Sequence, residues 1–440
     1  MISWWTAGEL PCSARGPERF VNDFKKYRWI LFGTIGILYF LVQLYRVSPT
    51  VIARDLAVAF NADAVVLGII SSAYFYLYAI VQPPVGYLSD TAGPRKVISV
   101  CFFIAAAGAV LFALAPDATT ATMGRTLIGA GTGGVFIPAL KIFAHWFKIE
   151  EFAVLTGFML TIGGCGALAA AAPLTYLVLW FGWRATFLGM GILSFALAAF
   201  CWLVIRDTPQ AKGWPAVWTM EMQGSSPGTQ ISLPKRIKLI LRNFDFWMLA
   251  LFTFLTGGVV ITFQGLWAVP YLTDVFGLNR IEAGWVLLLI PLGFAVGGPS
   301  LGMLARRLDL DHKKLLVGTM IAGTLGWAVM LFLHDRSHLL LVIILFFLFG
   351  FAGGGTTPFL FSLTRPLFPS ELLGTAAGVM NMATFFGTAL YQPIAGYLLK
   401  RHPMVEPGVY PFAAYEDLLV FFMASFGVSV VVTLPLLWRK

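Results

Sequence analysis

Long apolar runs recur along this sequence, and nothing constrains its folding more. They cover residues 29–52, 65–88, 96–115, 121–146, 152–178 and 184–205, then 245–275, 281–304, 314–334, 338–363, 372–399 and 415–437. A helix needs about 20 apolar residues to cross a hydrocarbon core. A membrane-spanning strand needs only about 10, alternating in polarity, so runs of this length exclude a β-barrel. Hydrophobic residues make up 58% of the chain and charged residues 12%. Water-soluble domains carry about a quarter charged residues, so lipid is the solvent for most of this chain. The expected fold class is an all-α polytopic membrane protein of twelve transmembrane helices.

The formal charge of +9 is explained by its placement. Most Lys and Arg fall in loops that the alternating spans put on one side. That is the positive-inside pattern, and it predicts cytoplasmic termini in a plasma (inner) membrane, with no nucleic-acid partner. The cysteines (Cys12, Cys101, Cys165, Cys201) show no disulfide or metal spacing. Residues 1–28 are polar with scattered basics and no small-residue cleavage site, so the first helix is expected to be retained.

The runs divide into two sets of six. Residues 29–205 form the first bundle, 206–243 a cytoplasmic linker, 244–437 the second bundle and 438–440 a short cytoplasmic end. The Gly-Ser-Ser-Pro-Gly stretch at 224–228 marks the linker as flexible. The sets repeat each other. Gln43 with Pro49 returns as Gln264 with Pro270, and Gly133, Gly134 and Pro138 return as Gly353, Gly354 and Pro358. Glu150, Gly157 and Pro173 return as Glu371, Gly378 and Pro393, all at an offset of about 220 residues. Two pseudo-symmetric six-helix bundles follow, related by an axis along the membrane normal.

The loop after the second run reads Gly86-Tyr87-Leu88-Ser89-Asp90-Thr91-Ala92-Gly93-Pro94-Arg95-Lys96. Gly86 is read as allowing close helix approach, Gly93 a tight turn, and Arg95 and Lys96 a cytoplasmic anchor. Asp90 at a helix end can accept from nearby helix N-termini or basic groups. This loop resembles the cytoplasmic signature of the major facilitator superfamily, with Pro94 inserted. Arg125 to Gly131 resembles its fourth-helix arginine-glycine motif, and 181–187 the link between its fifth and sixth helices. The resemblance covers essentially the whole chain. It implies a transporter working by alternating access, with Asp90, Gly86, Gly93, Arg95 and Arg125 in gating or conformational roles. The counterpart after the eighth helix, 302–307, is degraded, with Arg306 in place of the aspartate.

Charge inside a membrane is costly and marks function. Arg46, Arg125 and Lys141 fall inside the runs, whereas every acidic residue falls in a loop or at a helix end. Arg46 shares a helical stripe with Tyr39 and Gln43. A guanidinium fork suits a carboxylate or phosphate, so an anionic small-molecule substrate is expected. Arg46 ahead of Leu56 also resembles the first-helix arginine of organic-anion and organophosphate members. Those with phosphate substrates usually carry a second arginine shortly before a tryptophan in the seventh helix. Here the tryptophan is Trp267 and that position is Ile261, which favours a carboxylate. Tyr74, Tyr78, Gln264, Trp267, Thr356, Asn381 and Thr384 complete the expected substrate-binding set. Lys141 is read as snorkelling to the inner interface.

The expected function is secondary active or facilitative transport of a small organic anion by a monomer in the lipid bilayer. A coupling ion, either H+ or a counter-substrate, is possible. The same fold also serves drug or metabolite efflux antiporters. The fifth helix, with Gly163-Gly164-Cys165-Gly166, matches their glycine-proline core poorly. A non-transporting receptor is the third reading. No P-loop, metal spacing or cofactor motif is present, so neither an enzyme nor ATP-driven transport is expected.

Overall fold

Proline and glycine decide where the helices of this chain break. The computed structural model describes residues 17–214, 233–308, 310–406 and 408–437. The 224–228 run and residues 438–440 lie outside the described residues. The first membrane helix is Pro17–Val47 followed by Pro49–Phe60. It stops at Ser48 and restarts at Pro49, whose missing N–H costs nothing in a first turn. It thus begins within the polar N-terminal segment and ends beyond residue 52. The second helix is Ala64–Ile80 with Gln82–Thr91, the third Pro94–Ala113, and the fourth Ala118–Thr132 with Phe136–Trp146. The fifth starts at Ile149–Ala169 and continues into Ala172–Val204. Gly182, at φ 78°, turns that stretch into the sixth helix.

The seventh helix runs Phe244–Thr262, passes through a π-helical turn at Phe263–Trp267 and ends as Ala268–Phe276. The eighth is Arg280–Leu287 with Leu289–Arg307, the ninth His312–Met330 and the tenth Leu339–Thr364. The eleventh is Ser370–Lys400 and the twelfth Phe412–Thr433. Among the described residues, nine helices are long and apolar enough to cross a bilayer by composition alone. The fifth is represented by the shorter apolar stretch Val154–Ala169, and the ninth and eleventh are not among the nine.

The halves meet chiefly where the second helix lies along the eleventh. Gly68 is the reason they lie so close: a Cβ there would stand 2.5 Å from the Gln392 carbonyl oxygen. Small residues at such crossings let backbones touch where hydrophobicity gives no drive for association. At this end of the molecule the halves are joined by ion pairs: Arg280 to Asp55 at 2.8 Å, Lys400 to Asp63 at 2.8 Å, and Arg54 to Glu406 at 3.1 Å. Two hydrogen bonds cross there as well, Ala64 N–H to Tyr410 Oη at 2.9 Å and Val269 N–H to Thr50 Oγ1 at 3.3 Å. This end is therefore latched shut.

At the opposite end Gly93 adopts φ 93°, a conformation that a side chain would strain. The Asp207 carboxylate from the end of the sixth helix fills the space where a Cβ would point. It accepts the Arg95 N–H at 2.6 Å, while Arg95 Nε donates to the Trp202 carbonyl at 2.9 Å. Gly86 has nothing within 4 Å of a Cβ position, so it does not serve close helix approach. Its carbonyl accepts from Lys141 Nζ at 3.1 Å. Lys141 therefore reaches across to the second helix. The Asp90 side chain lies outside the described residues.

Candidate translocation site

Arg46 occupies the last turn before the break at Ser48. Twelve helical residues, Pro49–Phe60, follow it toward the latched face. At 1.5 Å per residue that is about 18 Å of helix between Arg46 and the end of this element. The guanidinium carbon lies 5.0 Å from the ring centre of Tyr78 and 4.8 Å from that of Phe385. Phe385 belongs to the eleventh helix, so the sandwich spans both halves. Phe385 also packs on Tyr78 at 4.6 Å and on Phe75 at 6.2 Å.

No carboxylate pairs with Arg46 among the described residues, and its Nε has no hydrogen-bond partner in the protein. Magnitudes decide what this means. Aromatic faces supply a desolvated cation with about 2 kcal/mol. Removing an ion from water costs several kcal/mol. The half-buried charge has aromatic faces but no carboxylate partner among the described residues, an arrangement with room for an anion.

Arg125 deepens the positive field. It is fully buried, donates from Nη1 to the Tyr45 carbonyl at 2.9 Å and lies 4.8 Å from the Tyr74 ring centre. Tyr74 stacks on Tyr78 at 5.7 Å, so the two guanidiniums bracket a tyrosine pair. Tyr74 also accepts from Thr132 at 3.0 Å. One turn away, Gln43 donates to the Tyr39 hydroxyl at 3.4 Å. The structure thus gathers Arg46, Tyr39, Gln43, Tyr74, Tyr78 and Arg125 around one locus.

The C-terminal half is arranged differently from the sequence expectation. Gln264 sits half-buried in the π-turn of the seventh helix, a device that re-aims side chains and is frequent at functional sites. Trp267 is buried, has no partner for Nε1 in the protein, and lines a separate cavity on the latched side. Thr356 gives its hydroxyl to Gly353 of its own helix. Thr384 packs its methyl toward Gly257 of the seventh helix and bonds the Met380 carbonyl. Asn381 is exposed, one turn from Phe385 on the same helix face.

The comparisons agree with this architecture. The family model described as "Major Facilitator Superfamily" matches residues 31–392 and 265–439. The chain belongs to the major facilitator superfamily. A probable sulfoacetate transporter of Cupriavidus necator is 26% identical over 387 residues, covering 86% of this chain and 88% of that one. The hexuronate transporter of Escherichia coli K12 is 24% identical over 389 residues, covering 86% and 89%. A crystal structure of a bacterial homologue of the human lysosomal transporter Spinster superposes with a TM-score of 0.69 at 17% identity. It covers 92% of this chain and 95% of that one, which establishes the shared fold. This superfamily member is a multi-pass membrane transporter.

Two superfamily-fold neighbours of Arg46 escaped the sequence reading. Phe385 carries no polar signal, and its role depends on the other half. Gln392 is fully buried where the halves meet, and neither its Oε1 nor its Nε2 has a partner in the protein. Its amide approaches Gly265 of the π-turn. A glutamine inside an apolar run is a readable signal, and Tyr391 stands beside it in the chain. That tyrosine bonds Ser425 of the twelfth helix.

Proposed function

We propose that this transporter moves a small organic anion carrying a carboxylate, by alternating access of its two halves. The observation that carries the reading is the guanidinium of Arg46, half-buried between aromatic rings of opposite halves and without a carboxylate partner among the described residues. Tyr39, Gln43, Tyr74, Tyr78, Gln264 and Asn381 are the side chains we assign to the cargo, with Trp267, Thr356 and Thr384 behind them. Arg125 shapes the field and holds the first helix through Tyr45. Asp90, Gly86, Gly93 and Arg95 form the hinge loop of the N-terminal half. Ile261 takes the place where a second arginine would grip a phosphate, so a single carboxylate suits the site better than a phosphate ester.

The relatives named for hexuronate and sulfoacetate support this cargo class, since both are organic anions. In this reading the Gly86 loop and both termini are cytoplasmic, and the latched face is the outer one. The chain acts as a monomer in the plasma membrane, and a proton or a counter-substrate drives it. The bundles divide at the linker, 206–243. Uptake of labelled carboxylates into proteoliposomes, with Arg46→Ala as control, tests the cargo. Transport of a cationic drug indifferent to Arg46 would replace the anion reading with the efflux one.

A further inference from the structure

The latched face is closed by a strap, and the strap is pinned to one carboxylate. Residues 402–411 join the eleventh helix to the twelfth. From this segment Glu406 pairs with Arg54, and Tyr410 Oη accepts the Ala64 N–H. Both partners belong to the N-terminal half, so the strap crosses the boundary that must open. Its own anchor is Asp274, near the end of the seventh helix. Asp274 Oδ2 accepts the Tyr410 N–H at 3.1 Å and the Tyr415 hydroxyl at 2.7 Å, and Oδ1 accepts the Thr273 hydroxyl at 3.0 Å.

Asp274 differs from its acidic neighbours in what compensates it. Asp55, Asp63 and Glu406 each sit against a basic group. Asp274 is held by neutral donors, and among the described residues no lysine or arginine forms an ion pair with it. Arg54 of the first helix and Arg280 of the eighth line the same cavity, but both already hold carboxylates. Tyr415 of the twelfth helix and Tyr410 of the strap touch Asp274 directly, and Tyr271 of its own helix packs on Tyr415. Asp63, with Lys400, lies beyond Tyr410 at the start of the second helix. The cavity, about 230 Å³, brings Asp274 and Tyr410 to the latched face together.

We propose that Asp274 is a proton-binding site that controls opening of this face. The charged carboxylate holds Tyr410, and through it the strap, with charge-assisted hydrogen bonds. Those bonds are about twice as strong as neutral ones. A proton arriving through the cavity removes the charge and turns one acceptor oxygen into a donor. The strap then loses its anchor, and the contacts it makes to Arg54 and Ala64 are free to part. Proton entry would thereby be tied to opening without any acidic residue at mid-membrane depth. This step does not depend on the identity of the cargo.

Amide hydrogen exchange of the full-length protein in lipid nanodiscs, normalised to intrinsic rates, tests it without any substrate. In the wild type the 402–411 segment should gain exchange as pH falls from neutral to mildly acidic. Asp274→Asn, which cannot carry the charge, should exchange freely at both. Tyr415→Phe removes one donor to the carboxylate and should move the transition upward by about one pH unit. A strap whose exchange ignores pH in the wild type would overturn the proposal. So would an Asp274→Asn protein that keeps the wild-type acid response. If that variant does not fold, an unchanged midpoint in Tyr415→Phe decides against the site.

Discussion

Arg46 and Phe385 stand in opposite halves of the molecule, 4.8 Å from guanidinium carbon to ring centre. One contributes a charge and the other part of the surface that shelters it. Separation of the halves removes Phe385 and leaves Tyr78, which lies on the same half as Arg46. In the proposed cycle the charge is therefore more enclosed with the latched face shut than with it open. That is the change in environment that alternating access requires of a ligand site.

Replacing Arg46 by alanine removes the cation held between Tyr78 and Phe385 of opposite halves. A hydrogen bond to a charged group is worth about 1.5–3 kcal/mol, so anion affinity should fall by about 10- to 100-fold. Arg46→Lys keeps the charge but loses the planar stacking on Tyr78 and Phe385, and should fall between the two. Concentration dependence of carboxylate uptake in proteoliposomes, with size-exclusion profiles as the folding control, measures both.

Asp55 and Arg280 form the best enclosed of the ion pairs that cross the halves, each about a quarter exposed. Pairs of this exposure contribute about 0.5–1 kcal/mol. Either Asp55→Ala or Arg280→Ala should raise the open population of the latched face by about two- to fivefold. The exchanged pair, Asp55→Arg with Arg280→Asp, should restore closure. Labelling of a cysteine placed at the buried, cavity-lining Leu67 by an impermeant maleimide reports the change.

A side chain at Gly68 should stop the cycle without unfolding the protein. The obstacle it would meet is the backbone of the eleventh helix, which cannot swing aside. Gly68→Val should hold the latched face open, abolish net transport and leave anion binding intact. Binding measured by calorimetry alongside transport separates this from loss of folding.

Asp63 gives a pH prediction of the opposite kind to a proton sensor. Burial works against its charge, but the bond to Lys400 and the Val66 N–H outweigh it and hold its carboxyl below the usual range. A depressed carboxyl contributes its stability at neutral pH and loses it only as pH falls through that lowered value. Lys400 is 58% exposed, so the contribution is under about 1 kcal/mol. Asp63→Asn should therefore loosen the latched face by less than about fivefold, equally at neutral and mildly acidic pH. A mutant effect that disappears on mild acidification would contradict this assignment.

Much of the architecture is legible in single residues. Pro49 announces the restart of the first helix, and Gly93 the turn that Asp207 fills. The stripe of Tyr39, Gln43 and Arg46 points to a lined path. On the eleventh helix the polar residues do not share one direction. Thr384 and Tyr391 turn to the seventh and twelfth helices of their own half. Phe385 packs on Tyr78 and Phe75 of the other half, and the Gln392 backbone meets Gly68 there. Hydrophobicity cannot fix those directions, because lipid and helix neighbours are equally apolar.

By itself the sequence determined the lipid solvent, the two sixfold sets of helices and the isolated cation at residue 46. Each follows from properties a residue carries wherever it lies: the cost of apolar surface in water, the length of a helix across a bilayer, the cost of a buried charge. Which face is shut, which aromatic rings shelter Arg46, and which carboxylate holds the strap were decided only by the tertiary structure. Those are relations between helices separated by hundreds of residues, and they exist only once the two halves are docked.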